Sequence, residues 1–334
     1  MKVIVSQVRG NSGTDVWAEN LCHEMCNLGH ECNVDLRSPV NQILPILARL
    51  QPVPQIFDIV QSNSWNGFAF KGVAPLVVTE HLVVHDMGYN PYRTLPQKIF
   101  HRWIYRCEEK SLNAADALVC VSEDTRIKLE AAFGYQDARV IYNGVDTGLF
   151  RPKYINRKTW NLPENKTLLL FAGNLSRRKG ADLLPAIMKG LGDDFLLLTT
   201  SGNRDKSQNS IPYSRDLGHL NLNQLIDAYN LCNIFILPSR LEGLSLSTLE
   251  AMACGKPVIA FNCSSFPELV VEGKGGFLPE KDDVKDLVER IRYLSQEPDL
   301  ALKMGLFNRD RVMENFTLKK MTGNYVRLYQ SLLD

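Results

Sequence analysis

The chain has 334 residues, more than one packed core usually holds, and its length favours two domains of ordinary size with a cleft between them. Hydrophobic residues make up 45% and charged residues 22%, a balance that excludes disordered and fibrous classes. The formal net charge is +1, with a small acidic excess in the first 150 residues and a small basic excess in the rest. That excludes nucleic-acid binding through a dense basic face and leaves room for a local phosphate site.

The periodicity predicts a strand over 2–6, a polar glycine turn at 10–13 and a helix over 16–28 that Gly29 stops. Strand patterns follow at 31–36, 56–61, 76–79, 117–121 and 139–141, with helical stretches at 97–113 and 124–133 between them. Strand alternating with helix predicts a parallel sheet. The pattern breaks after Asn143-Gly144-Val145-Asp146 and restarts with a strand at 167–171, a turn at 173–179, a helix to Leu191 and strands at 195–199, 234–237 and 257–261. The expected fold is α/β: two Rossmann-like parallel-sheet domains over 1–150 and 151–316. A closing helix over 317–334 is expected to pack back toward the first domain through Met321, Tyr325, Leu328 and Tyr329.

Met1-Lys2 runs directly into the first strand, so no secretory leader is expected, and no apolar run approaches the ~20 residues of a membrane span. The eight cysteines lack paired metal-ligand spacing and read as free thiols, which suits a reducing cytoplasm. Cys22 and Cys26 would share a helix face, but no second pair completes a zinc site.

The most informative stretch runs from Pro238 through Ser239, Arg240, Leu241, Glu242, Gly243, Leu244, Ser245, Leu246 and Ser247 to Glu250, and on to Gly255 and Pro257. It follows an apolar strand and opens a helix, with Ser245 or Ser247 as N-cap and Gly255 and Pro257 as the stop. The N–H groups near Leu244 and Ser247 then face the cleft, where the helix dipole attracts an anion. Carboxylates repel phosphate, so Glu242 and Glu250 are expected to accept hydrogen bonds from neutral hydroxyls on either side of a diphosphate. A nucleotide sugar has that layout. The second element is Phe171-Ala172-Gly173-Asn174-Leu175-Ser176-Arg177-Arg178-Lys179-Gly180, whose adjacent cations suit diphosphate neutralisation.

Glu242 and Glu250, seven residues apart, resemble the Glu-x7-Glu motif of the retaining glycosyltransferases of family four, which have the GT-B fold. The likeness covers nearly the whole chain: the 10–13 turn, Gly29-His30, Thr79-Glu80-His81, Ala115-Asp116 to Ser122, Ile141 to Asp146, Lys179-Gly180 and the 238–257 segment. It implies that Glu242 faces the transferred sugar, Glu250 holds the ribose diol, and Gly243, Leu244 and Ser245 present backbone to the diphosphate. It also implies that Lys179 and His81 act at the reacting centre, that Gly13 lies near the diphosphate, and that His219 and Leu220 line the nucleobase, with Glu268 a further acid of the donor cleft. An arginine is usual in the family where Asn174 stands, so Arg178 or Arg177 is expected to supply the missing charge. His85 and Asp86 are rivals to His81.

The resemblance implies a metal-independent transfer from a nucleoside-diphosphate sugar, with a uridine donor favoured, to a hydroxyl of a glycan, glycolipid or small molecule, with no resident cofactor. The sequence carries no convincing Ser-His-Asp order and no Asp-x-Asp motif, which agrees with that expectation. An epimerase or hydrolase of the same fold, and a catalytically silent nucleotide-sugar-binding protein, are the competing readings. The expected location is the cytoplasm. Lys98, His101, Arg102, Arg106 and Lys110, interleaved with Phe100, Trp103, Ile104 and Tyr105, could touch the inner face of a membrane, although Glu108 and Glu109 favour an ordinary packed helix.

Overall fold

A computed structural model of the chain describes residues 1–10, 13–38, 40–44, 47, 56–200 and 211–334, with the backbone alone at 42 and 43. It divides into two units, Met1–Gly144 with Leu318–Asp334, and Val145–Thr317.

In the first unit the strands β1 (Lys2–Val8), β2 (Glu31–Arg37), β3 (Ile59–Asn63), β4 (Leu76–Glu80), β5 (Ala117–Cys120) and β6 (Arg139–Val140) form one sheet in the order β2-β1-β3-β4-β5-β6. Every pairing is parallel. Such strands are covered on both faces and read as continuous apolar runs; Val3, Ile4, Val5, Val77 and Val78 are accordingly buried.

Helices α1 (Gly13–Asn27), α2 (Val40–Ile43), α3 (Leu95–Ala114) and α4 (Glu123–Phe133) connect the strands. Gly29, at φ +83°, ends the α1 turn in the left-handed region where a side chain is unfavourable. Thr94 and Gln97 form a reciprocal capping box on α3, and Ser122 accepts from the Thr125 N–H to cap α4. The chain's last helix, here called by its residues Leu318–Gln330, packs on α1 with Met321, Tyr325, Leu328 and Tyr329 all buried.

The cysteine expectation needs one correction. Cys22 and Cys32 form a disulfide with Cα atoms 5.0 Å apart, because the Gly29 turn folds the start of β2 back along α1. The free thiols are Cys26, Cys107, Cys120, Cys232, Cys254 and Cys263.

The second unit repeats the plan with β7 (Thr167–Phe171), α5 (Leu184–Leu191), β8 (Phe195–Thr199), β9 (Ser214–Asp216), α6 (Leu222–Leu231), β10 (Ile234–Leu237), α7 (Leu246–Ala253), β11 (Val258–Ala260), α8 (Phe266–Leu269), β12 (Gly276–Phe277), α9 (Val284–Gln296) and α10 (Pro298–Asn315). The Leu318–Gln330 helix of the first unit is therefore α11. The sheet order is β12-β11-β10-β7-β8-β9, again parallel throughout. From β7 the chain builds outward through β8 and β9, then returns to place β10 on the other flank of β7. The loops leaving the carboxyl ends of β7 and β10 therefore diverge at the topological switch point, where open α/β sheets bind their ligands.

Candidate active site

Both loops at that switch point carry charge. After β7 the chain passes Gly173, at φ +137°, into a tight turn over Arg177–Lys179 that Ser176 caps by accepting from the Lys179 N–H. After β10 it runs through Ser239 and Arg240 to Glu242 and the start of α7. The two loops are fastened together: the Arg240 N–H donates to the Arg178 carbonyl at 2.8 Å, and the Ser239 hydroxyl lies 3.1 Å from the same oxygen. The buried Arg240 guanidinium donates to the Arg177 carbonyl at 2.6 Å, to both Asp182 oxygens at 2.7 and 3.1 Å, and to Asp282 at 2.6 Å. A guanidinium paired this fully holds its neighbours in one geometry.

Glu242 is buried and receives two cations on the same oxygen, Arg178 at 3.1 Å and Lys179 at 3.4 Å, while Ser239 donates to it at 3.0 Å. Burial alone would raise its pKa, but the Arg178 and Lys179 charges with the Ser239 and Arg178 hydrogen bonds bring it below the usual carboxylate value. Burial lowers the Lys179 pKa, against the pull of Glu242. The Lys179 side chain lies across Gly173, where a Cβ would come 3.0 Å from Nζ. Ser264 locks the Glu242 backbone from the other side, accepting from its N–H at 3.0 Å and donating to its carbonyl at 2.5 Å.

Glu250 sits on α7, whose N-terminus Ser245 caps by accepting from the Thr248 N–H. The Tyr229 hydroxyl on α6 donates to one Glu250 oxygen at 2.6 Å. Burial raises the Glu250 pKa to about 7, in spite of that hydrogen bond and the nearby Lys179.

The remaining expected donor residues fall in distinct places. Gly243, Leu244 and Ser245 are buried at the start of α7. Arg178 turns toward Glu242 and the Leu241 carbonyl, the latter at 2.6 Å, whereas Arg177 is 60% exposed and lies 3.9 Å from Asp182. Asn174 is exposed. His219 is exposed and Leu220 half-buried on the loop after β9, and Glu268 lies on α8.

In the first unit Gly13 is the exposed first residue of α1, while Asn11 and Ser12 of the same turn lie outside the described residues. Asp15 organises the turn by accepting from the Gly10 N–H at 3.1 Å. His81 follows β4, its ring edge-on to Trp17 at 4.6 Å between centroids, and its Nε2 is sealed from solvent with no hydrogen-bond partner among the described residues. Burial lowers its pKa to about 4, so the ring is neutral near pH 7. His85 is committed elsewhere, with Nε2 2.5 Å from Glu108, and Asp86 pairs with Lys128 at 3.0 Å.

Tyr229, Ser239, Arg240, Asp182, Asp282 and Ser264 escape the sequence reading. Ser239 and Arg240 stand inside the 238–257 run, and the local signal for them was available. The others meet the site only through the fold. Among the described residues no group of three or more His, Cys, Asp or Glu could hold a metal ion.

Residues 153–311 match the family described as glycosyl transferases group 1, and residues 34–149 match Glycosyltransferase Family 4. An uncharacterised glycosyltransferase of Methanocaldococcus jannaschii is 28% identical over 225 residues, which cover 66% of this chain and 61% of that protein. The chain spans less than two thirds of the length of the curated relatives it matches. Sucrose-phosphate synthase from Thermosynechococcus elongatus has a similar structure, with a TM-score of 0.85 at 19% identity over 99% of each chain. Anabaena HepE, solved in complex with UDP-glucose, gives a TM-score of 0.78 at 15% identity over 99% of this chain and all of that one.

Proposed function

The chain belongs to the GT-B glycosyltransferases of the family-four type, and from that premise we propose that it moves a sugar from a nucleoside diphosphate, UDP by preference, to an acceptor hydroxyl. The observation that carries this reading is the meeting of Glu242, Arg178 and Lys179 at the switch point of the second sheet. As the bond to the leaving diphosphate breaks, negative charge develops on its oxygens, and two fixed cations stabilise that charge without a metal. Glu242, kept ionised by the same cations, then accepts from sugar hydroxyls, and Glu250 accepts from the ribose. Arg178 supplies the charge that Asn174 does not. The neutral His81 ring is suited to orienting a hydroxyl.

In this reading the transfer is retaining, as the family resemblance implies, and metal-independent, for which these cations are the support, with a diphosphate oxygen taking the acceptor proton on the face from which the leaving group departs. The UDP preference draws on the HepE complex. The test is turnover with UDP-, GDP- and ADP-sugars in the presence of a chelator, with the anomeric configuration of the product read by NMR. Inverted product, or activity abolished by the chelator and restored by a divalent ion, overturns the respective part. Hydrolysis or epimerisation unaffected by any acceptor favours the competing enzyme reading, and tight binding with no turnover favours the silent one.

A surface feature of the first unit supports peripheral contact with an anionic membrane. Leu95, Ile99 and Trp103 recur one turn apart on α3 and are 72%, 64% and 45% exposed, beside the exposed Leu44. Lys98, Arg102 and Arg106 are exposed on the same helix. An apolar stripe flanked by cations matches the two terms of interfacial binding, burial in the acyl boundary and attraction to anionic headgroups. No helix among the described residues is long and apolar enough to cross a membrane. Flotation with vesicles containing anionic lipid, and no flotation with neutral vesicles or with an Ile99→Ser/Trp103→Ser variant, is the expected result.

A further inference from the structure

We propose that Tyr229 is a positioning residue for nucleotide recognition: its phenol occupies one oxygen of Glu250 and so presents the other, in a single orientation, to the ribose diol. The inference rests on the donor reading above and adds to it a residue on a different helix.

Tyr229 is fully buried on α6. Phe150 and Phe235 lie against its ring at 6.0 and 5.9 Å between centroids, so the phenol has one direction to point. Its hydroxyl lies 2.6 Å from Glu250 Oε2. An unpinned carboxylate rotates about its last bond and loses that freedom when it captures a ligand; one already held by a buried donor has lost it in advance. The Tyr229 bond also opposes the effect of burial on Glu250, favouring the ionised form that accepts from two hydroxyls. Among the described residues the other ionisable groups near this carboxylate are Lys179, whose charge acts in the same sense, and Cys254, whose thiol burial pushes up to about 12 and so keeps neutral.

The phenol of Tyr229 therefore acts on affinity and on discrimination for the ribose, with little direct effect on the reacting bond. Its removal in Tyr229→Phe keeps the ring packing and deletes only the donor. Nucleotide binding is measured by calorimetry from pH 6 to pH 8.5 with UDP, GDP and ADP, and the tightest of them is then compared with its 2′-deoxy form. Tyr229→Phe is expected to weaken nucleotide binding about 5- to 20-fold, to change kcat less than twofold, and to move the pH at which affinity is half-lost upward. The penalty for the 2′-deoxy nucleotide should shrink toward that of Glu250→Gln, a coupling that a purely structural role does not produce.

Unchanged affinity, pH midpoint and 2′-deoxy penalty in Tyr229→Phe, with Glu250→Gln still weakened, overturns this inference and leaves the donor reading standing. If Glu250→Gln also binds as the parent does, or none of the three nucleotides binds, both fall. Should Tyr229→Phe not fold, Tyr229→Leu read by the same 2′-deoxy comparison decides: a 2′-deoxy penalty equal to the parent's overturns the proposal, and a penalty shrunk toward that of Glu250→Gln supports it.

Discussion

Gly180 lies so close to Pro238 that a Cβ on the glycine would stand 2.0 Å from the proline's carbonyl oxygen. The turn carrying Arg177, Arg178 and Lys179 is thus seated directly on the loop that carries Glu242, and at φ +74° only glycine holds the backbone there without strain. Gly180→Ala is expected to destabilise the protein by more than about 2 kcal/mol, since contact and strain add. It should also raise the donor KM, because the backbone must shift to relieve the clash. Urea unfolding with steady-state kinetics checks both; an unfolding midpoint equal to the parent's contradicts the seating.

The three cations of the turn separate by geometry. Lys179 and Arg178 meet Glu242, while Arg177 points to Asp182 and solvent. Lys179→Ala should lower kcat about 10²- to 10³-fold, the scale on which a fixed electrostatic donor acts. Arg178→Ala should lower kcat/KM by about tenfold or more, and Arg177→Ala should stay within about twofold. Full activity in both arginine variants beside an inactive Lys179→Ala refutes the idea that a neighbour compensates for Asn174.

The legibility of the chain divides along physical lines. Strands such as Thr167–Phe171, apolar after its first residue, and Ile234–Leu237, apolar throughout, are bounded by turns, so their buried, parallel character was readable. Ser214–Asp216 is polar and is a strand because it pairs with Leu197, Leu198 and Thr199. Helix Pro298–Asn315 was missed because Gly305 and Asn308 belong to its buried face: a Cβ on Gly305 would stand 2.0 Å from the Gly255 carbonyl, and Asn308 donates to the Lys256 and Gly275 carbonyls. No apolar period marks such packing. At the site, Glu242, Glu250 and Lys179 stand in local punctuation, but the Arg240 partners Asp182 and Asp282 lie 58 and 42 residues away. The cysteines failed similarly, since helical spacing pairs Cys22 with Cys26 and the tertiary turn pairs it with Cys32.

Glu108 gives a pH prediction with a definite sign. Burial raises its pKa from 4.5 to about 8 in the folded protein. The folded state therefore binds more protons than the unfolded state between these values, and stability falls as pH rises until the folded carboxyl has ionised above pH 8. Glu80, raised to about 7 by burial and by the nearby Glu108, adds in the same direction. The low pKa of His85, about 4, works in the opposite sense between about pH 4 and 6.5, so the Glu108 contribution is read above pH 6.5. Glu108→Gln keeps a hydrogen-bonding group beside His85 and removes the ionisation. Its Tm should exceed the parent's by a margin that widens from pH 6 to pH 9; a constant margin shows that Glu108 is not the titrating group.

The C-terminal helix makes Tyr325 a structural determinant of the sheet it covers. The Tyr325 hydroxyl lies 3.1 Å from Thr79 Oγ1 on β4, and the ring meets Trp17 at 5.6 Å and Tyr329 at 5.8 Å between centroids. Tyr329 donates to Gln61 on β3 at 3.0 Å, and Gln61 in turn donates to Thr79 at 2.9 Å, so the two tyrosines close a buried network across adjacent strands. Tyr329→Phe leaves the ring volume in place and should cost about 1 kcal/mol. Tyr325→Ala also opens a cavity and should cost about 3–5 kcal/mol. Because Thr79 stands two residues before His81, the same loss should loosen the end of β4. Hydrogen exchange checks the spread of the effect: in Tyr325→Ala the amides of β3 and β4 should lose protection while those of β7 and β8 in the second unit keep theirs. Equal loss in both sheets would show that the helix stabilises the chain as a whole rather than the sheet beneath it.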